Sequence, residues 1–288
     1  MNQVSQIKDK HYQRELSERK DEAIAEALAK SESVYDNCDH EIWQHAVYDR
    51  IHHGREFQNI SGIRGLDYFA ESISDPNARI LDLGCGSGEA CIYLSQAHGY
   101  RLLGIDVNRK QIRRATRKSA ALKNTALEIP KYSSSDLGSH DFHDDFGGAF
   151  CLESLSLIAN TKMELLNISR ALKANSPFFV ADIFAGANLD AAARRFALYE
   201  DGLVSLTSQE TFSGLLRDAG FCQITWTDQT DLAVEVCTSI LNGVHEYADS
   251  TGRQEDPLVQ EWLVSSRFYV DAFKERQLEC AWCLARKC

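Results

Sequence analysis

Apolar and polar positions along this chain of 288 residues change character several times, and each change predicts a different element. Residues 8–30 are rich in Lys, Glu and Ala, with Ile24, Ala27 and Leu28 at helical spacing, which predicts an amphipathic helix. Ser31-Glu32-Ser33 breaks that pattern, and a stretch dense in aromatics and histidines follows, from His40 and Trp43 to His52, His53 and Phe57. Ile63 to Ile73 reads as a second helix, ended by the turn residues Asp75-Pro76-Asn77. From residue 79 to 184, strand and helix patterns alternate. Ile80–Leu83 and Leu102–Ile105 are apolar runs of buried strands, and a fainter third strand is expected near Ala126–Ile129. Such alternation predicts a mainly parallel sheet with helices on both faces. Helical patterns return over 184–206 and 228–276, between the late strands. No internal repeat, low-complexity tract or interdomain linker is visible. The expected organisation is an N-terminal helical lid over 1–60 and one α/β domain over 61–288, with helical insertions near 184–206 and 228–276.

Composition narrows the function classes. With 44% apolar and 25% charged residues the chain is of ordinary globular make-up, and no apolar run approaches a membrane span. The charged start, Met1 to Lys30, has no secretory h-region. Nine cysteines without framework spacing fit a reducing compartment. The expected location is therefore cytoplasmic, without a membrane partner. A net charge of −11 argues against a nucleic-acid partner, whose phosphates need neutralising. The basic cluster Arg109, Lys110, Arg113, Arg114, Arg117 and Lys118 recurs on one predicted helix, and is expected to be a solvated face turned away from the sheet.

The densest chemistry lies in Asp82-Leu83-Gly84-Cys85-Gly86-Ser87-Gly88-Glu89. An apolar strand ending in glycines lets a ligand approach the backbone at a strand-to-helix turn. A dinucleotide fingerprint would space its third glycine one residue later, and would face a pyrophosphate with the helix N-terminus. Here Asp82 and Glu89 flank the loop. They would repel a pyrophosphate and suit a ligand with an amino group and a sulfonium. Asp106 ends the next apolar run about twenty residues on, where an acid accepts from ribose hydroxyls. These features favour S-adenosylmethionine as the cofactor.

On these residues the chain resembles the class I S-adenosylmethionine-dependent methyltransferases. The resemblance extends to Tyr132–Leu137, Ala149–Leu155, Ala171–Lys173 with Phe178–Asp182, Leu206–Phe221 and Cys280–Lys287. It implies a Rossmann-like, seven-stranded, mainly parallel sheet with helices on both faces and a helical lid. It further implies that Gly84, Cys85, Gly86 and Gly88 form the loop, and that Asp82 holds the methionine end. Asp106 would take the ribose, Asp136 and Leu137 the adenine, and Val107, Gln111 and Leu152 would wall the adenosyl site.

Tyr35 and Ile51-His52-His53-Gly54 are similar to the lid segment of small-molecule N- and C-methyltransferases, the sarcosine and dimethylglycine type and terpenoid C-methylating enzymes among them. That likeness implies that Tyr35 and His52 close over the cofactor and face the acceptor. Otherwise the two histidines are ordinary helix-end residues. Glu153 follows the fourth strand at the ligand-binding end of the sheet, suited to hold a cationic amine or to take a proton. Asp182 is expected in the corresponding place after the fifth strand. The chain departs from the resembled pattern at Gly147, where an Asp is common, and at Leu157, where a histidine often stands. Losing that histidine leaves the proton to water, Tyr35, His52 or an acceptor already deprotonated. The pair Cys280 and Cys283 lacks a second pair and is expected to be inert packing, and no metal is expected.

Taken together, the expected activity is methyl transfer to a small organic acceptor, foremost an amine nitrogen. Carbon methylation of an isoprenoid or polyketide-like molecule is the alternative, with Arg55, Arg194 and Arg195 as contributors if the acceptor carries a diphosphate. A non-catalytic cofactor-binding subunit is a remoter reading, and a homodimer is compatible with the sequence.

Overall fold

The computed structural model describes residues 40–124 and 128–288. The predicted helix over 8–30 and Tyr35 lie outside that range. Seven strands form one sheet: β1 (Arg79–Leu83), β2 (Arg101–Asp106), β3 (Lys131–Ser134), β4 (Gly148–Leu152), β5 (Pro177–Ala185), β6 (Phe221–Asp228) and β7 (Leu278–Lys287). Their order is β3-β2-β1-β4-β5-β7-β6. β7 runs antiparallel to β5 and β6, and the other pairings are parallel.

Strand side chains alternate between faces, so neighbours in the central strands feed different cores. Ile80 and Phe179 pack with Leu66, Phe69 and Leu94 on one face. Leu81 and Phe178 pack with Leu165, Ile168 and Leu216 on the other. The helices supplying those partners are α3 (Gly62–Glu71) and α4 (Glu89–His98) on the first face, and α6 (Thr161–Ala171) and α8 (Gln209–Asp218) on the second. With both faces covered, β5 can carry a continuous apolar run, Phe178-Phe179-Val180-Ala181 being at most 1% exposed, before the buried Asp182. Each such large side chain contributes roughly 1.5–3 kcal/mol by burial.

The third strand of the sheet is Lys131–Ser134; of the expected 126–129, residues 126 and 127 lie outside the described range, and 128 and 129 are not in a strand. Pro130 lacks an N–H and restricts the residue before it, so pairing with β2 starts only at Lys131, opposite Leu103. The strand itself is Lys-Tyr-Ser-Ser at the sheet edge, without the apolar pattern that pointed to 126–129. The cysteine expectation also changes, because Cys222 in β6 is joined to Cys288 as a disulfide. Cys280 and Cys283 are buried free thiols on opposite faces of β7. They are packing residues and do not converge.

A helical layer stands over the C-terminal ends of the strands. It begins with α1 (Glu41–Trp43), a π-helical turn (Gln44–Asp49) and α2 (Arg50–His52). These pack against α9 (Thr230–Thr251) and α10 (Pro257–Lys274) through Ile42, Ala46, Tyr48, Val244, Tyr247 and Val259. α10 starts sharply because Asp256 caps Leu258 N and Pro257 occupies the first turn, where no N–H is needed. The remaining helices are α5 (Arg109–Ser119) after β2 and α7 (Ala191–Asp201) after β5. Among the described residues no helix is long and apolar enough to cross a membrane.

Candidate functional site

The strand order reverses direction between β1 and β4, and open α/β sheets bind ligands beyond the carboxyl ends of the strands at such a point. The glycine loop sits there. Gly84 N and Cys85 N donate to Ile105 O at 2.9 and 3.1 Å, which ties the loop to the end of β2. Gly84 has φ +68°, and a Cβ on it would collide with the Ser154 side chain. Glycine therefore allows the loop and the segment after β4 to close on one another. Asp106 accepts from Gly86 N (2.9 Å) and Asn108 N (2.8 Å), so it shapes the loop before any ligand arrives. Each carboxylate oxygen keeps capacity for a further donor. Burial raises the Asp106 carboxyl and pushes that of Asp82, which accepts from the Cys91 thiol, up to about 7.

A cavity of about 370 Å³ opens over this loop. It brings together Asp82, Gly84, Cys85, Gly86, Asp106, Val107, Gln111, Asp136, Leu137 and Leu152. Gly88 stands apart from the lining. It starts α4 at φ +77° and lets Tyr132 and Ala115 pack against its backbone. Asp136 points one oxygen at Ser139 N (2.7 Å). Sequence reasoning missed Glu56, Gln58, Asn59, Ser135, Ser154 and Glu164, which also line the cavity. The first three lie on a strap after α2 whose position depends on ion pairs distant in sequence.

Two corrections explain that strap. Glu89, expected to face the ligand's amino group, is neutralised by Arg55 (3.0 Å) and Lys118 (2.7 Å). The basic face of α5 is only partly solvated. Arg109, Lys110, Arg113 and Arg117 are exposed, but Arg114 and Lys118 turn to Glu56 at 2.8 and 3.0 Å. Spaced four apart on one helix face, they hold the strap beside the loop.

A second cavity, about 210 Å³, adjoins the first, with Gln58, Asn59 and Leu157 lining both. Leu157 thus puts an apolar group at the junction of the two cavities, at the position where the resembled pattern carries a histidine. The second cavity holds the two described candidates for proton handling, His52 and Glu153. Glu153 sits in the left-handed region at φ +51°, a conformation that costs a side-chain-bearing residue and is often found at functional sites. Its N–H donates to Ala181 O at 2.7 Å and its carboxylate accepts from Ile60 N at 2.6 Å. Burial pushes its carboxyl up to about 8. His52 is buried, packs edge-on against Phe57, and is pushed down to about 4 chiefly by that burial. It is a neutral ring at ordinary pH.

The remaining walls are mostly apolar or aromatic. Trp43 and Trp262 meet edge-to-face at 4.9 Å, and Tyr269 joins them. Asp201 is the other acid, and no Lys or Arg lines this cavity among the described residues. Arg55 is committed to Glu89, Arg194 donates to Leu206 O, and Arg195 lies over Tyr199. Asp182 lies within β5, not after it, and accepts from Ser156 N and Ile183 N at 3.1 and 2.8 Å. Burial pushes it up to about 6. Its visible role is to hold the turn after β4. His53 is exposed and ends α2 in the left-handed conformation, the helix-end alternative.

Comparison with known proteins agrees with this geometry. An O-methyltransferase of Aspergillus sclerotiorum is 32% identical over 170 residues, covering 57% of this chain and 62% of that protein. The chain thus spans about three fifths of that relative. The cyclopropane synthase MmaA2 of Mycobacterium tuberculosis superposes with a TM-score of 0.76 at 12% identity, over 90% of this chain and 98% of that one. Phosphoethanolamine N-methyltransferase 2 of Haemonchus contortus, in complex with phosphomonomethylethanolamine and S-adenosylhomocysteine, gives 0.73 at 16% identity over 85% and 56%. These last two show a shared fold. A methyltransferase domain model matches residues 51–225, which is more than half of the chain and includes the glycine loop, Asp106, Asp136 and Glu153, and the chain belongs to that family.

Proposed function

We propose that the protein transfers a methyl group from S-adenosylmethionine to a hydroxyl of a small, unphosphorylated, largely apolar acceptor. The observation that carries this reading is the pair of adjoining cavities. One is built around a glycine loop and acids, and the other is mostly apolar or aromatic with two carboxyls, Glu153 and Asp201, of which Glu153 follows β4.

The first cavity fits the cofactor. Gly86 keeps the loop clear of a Cβ that would come 3.3 Å from Gln58 Oε1 on the cavity lining, and Gly84 lets the loop close on Ser154. Asp106 has acceptor capacity for ribose hydroxyls, Asp136 and Leu137 lie where adenine would rest, and Asp82 faces the methionine end. Val107, Gln111 and Leu152 complete the wall. When bound, S-adenosylmethionine supplies a methyl carbon made electrophilic by its sulfonium.

The chain's own residues supply position and a path for the proton. Gln58, Asn59 and Leu157, at the junction, set the acceptor oxygen in line with the methyl group, and the strap of residues 56–59 excludes water. Glu153, ionised, takes the proton that the hydroxyl loses. A carboxyl near 8 matches a base working close to neutral pH better than an ordinary one. His52, neutral, orients the hydroxyl by hydrogen bonding.

Oxygen is preferred because the Aspergillus relative is named as an O-methyltransferase. Nitrogen, the first expectation from sequence, keeps one specific support: two carboxyls and three aromatic rings, with no cation among the described lining residues, suit an alkylated amine. The same lack of cations disfavours a phosphate or diphosphate acceptor. The test is calorimetric titration with S-adenosylhomocysteine, followed by mass spectrometry with S-adenosylmethionine and a pooled library of phenols, alcohols and amines. Methylated phenols or alcohols support the reading, methylated amines select the second, and binding without any product favours a non-catalytic subunit.

A further inference from the structure

A third cavity, about 330 Å³, lies on the outer side of the second, between the α2–α3 segment and α9. The two share His52, Ile60 and Val236, which therefore lie between them. The His52 ring lies flat against the chain because residue 62 is glycine: a Cβ there would stand 2.9 Å from Nδ1 of that ring. The outer cavity has an apolar floor that includes Ile51, Ile63 and Leu232. Its rim differs in sign from the inner cavity. Arg50, His53 and Arg64 stand against one acid, Glu235, whereas the inner cavity has Glu153, Asp201 and no Lys or Arg among the described residues. Arg50 is held by Ser239 and Glu246. Arg64 is exposed and, among the described residues, makes no ion pair, not even with Glu235, which lines the same cavity.

We propose that this outer cavity is a subsite for the far end of an elongated acceptor, which lies along the apolar floor and places a carboxylate at Arg64 while its hydroxyl enters the inner cavity. The acceptor class is thus an amphipathic hydroxy acid, apolar in the middle. A guanidinium binds a carboxylate in paired, charge-assisted hydrogen bonds, and among the described residues Arg64 is a lining arginine without an ion pair, whereas Arg50 is held by Glu246. His52, Ile60 and Val236 line both cavities, so the acceptor's chain runs past them while the His52 ring bonds its hydroxyl on the inner side. This assignment rests on the hydroxyl-methylation reading above for its inner end.

The test compares a medium-chain ω-(hydroxyphenyl)alkanoate with its methyl ester, in the full chain carrying S-adenosylhomocysteine. Binding is followed by quenching of tryptophan fluorescence, since Trp43 and Trp262 line the inner cavity. The acid is expected to bind on the order of tenfold tighter than the ester. Arg64→Ala should abolish that preference while leaving S-adenosylhomocysteine affinity unchanged, and Leu232→Trp, which fills the floor, should weaken both probes. Equal affinity for acid and ester, a preference that survives Arg64→Ala, or no binding of either probe overturns the subsite. Methyl transfer is then measured separately. An intact acid preference without transfer to any hydroxyl sinks the reaction assignment and leaves the subsite standing, whereas transfer without the preference does the reverse.

Discussion

Replacing Glu153 by Gln separates the electrostatics of the inner cavity from its shape. The amide keeps an oxygen to accept from Ile60 N but cannot ionise. In the native protein the carboxyl titrates near 8 against an ordinary value of 4.5, because burial penalises the charge more than the Ile60 and Ser61 N–H groups favour it. A raised acid contributes stability that is fully present below its unfolded value and is lost as pH rises to its folded one. Each pH unit across that window is worth about 1.4 kcal/mol, giving a ceiling near 5 kcal/mol, which relaxation and water entry reduce to about 2–4 kcal/mol. Asp82 titrates in the same window but is present in both proteins and cancels in the difference, whereas the Asp182 charge, which helps to raise Glu153, belongs to the effect being measured. Urea unfolding of the two proteins at pH 5 and pH 9 should therefore show Gln gaining about 2–4 kcal/mol on Glu between these pH values. Parallel pH dependence would refute the burial argument. Turnover gives a second reading. Native activity on a hydroxyl acceptor should rise with pH toward 8, and Gln should lose roughly 10²–10⁴-fold together with that limb. An unchanged limb would remove Glu153 as the base, whatever its effect on stability.

Three further changes test other parts of the site. Asp106→Ala should weaken S-adenosylhomocysteine binding by about a hundredfold in calorimetry, through loss of a ribose acceptor and of the Gly86 tether, with the far-UV spectrum unchanged; unaltered affinity would reject the ribose assignment. Lys118→Ala removes the ammonium bridging Glu56 and Glu89, so cofactor release by stopped flow should quicken about two- to fivefold and lose much of its dependence on salt. An unchanged release rate would mean that the strap is held by packing alone. His52→Gln should flatten the acid limb of stability. The native ring, pushed down to about 4, contributes stability above 6.5 that is lost as pH falls toward 4, and matching denaturation curves for both proteins across that window would show that the ring's burial is not penalised.

The glycine-loop side of the candidate site was legible because it is local. Residues 82–89 form one strand-to-helix turn, Asp106 ends the adjoining strand, and period and spacing place both without knowledge of distant contacts. The same locality explains the failure at β3, where an apolar run before Pro130 outweighed a short polar edge strand paired only through β2. The acceptor side depends instead on contacts across the sequence. Trp43 meets Trp262, Ile60 N reaches Glu153, and Glu56 is fixed by Arg114 and Lys118. None of these pairings has a period or a motif, and the basic run of α5 looked like a solvated face because its partners lay on a strap of no regular structure.

Glu153 shows what lies between these cases. Its place after β4 could be read from sequence, but its left-handed backbone and its bond to Ile60 N could not. Those two features set the direction of the carboxyl and the burial that raises it, so the position was predictable while the chemistry at that position was a product of tertiary packing. Repacking the lid against α9 and α10 would therefore reshape the second cavity without touching the glycine loop.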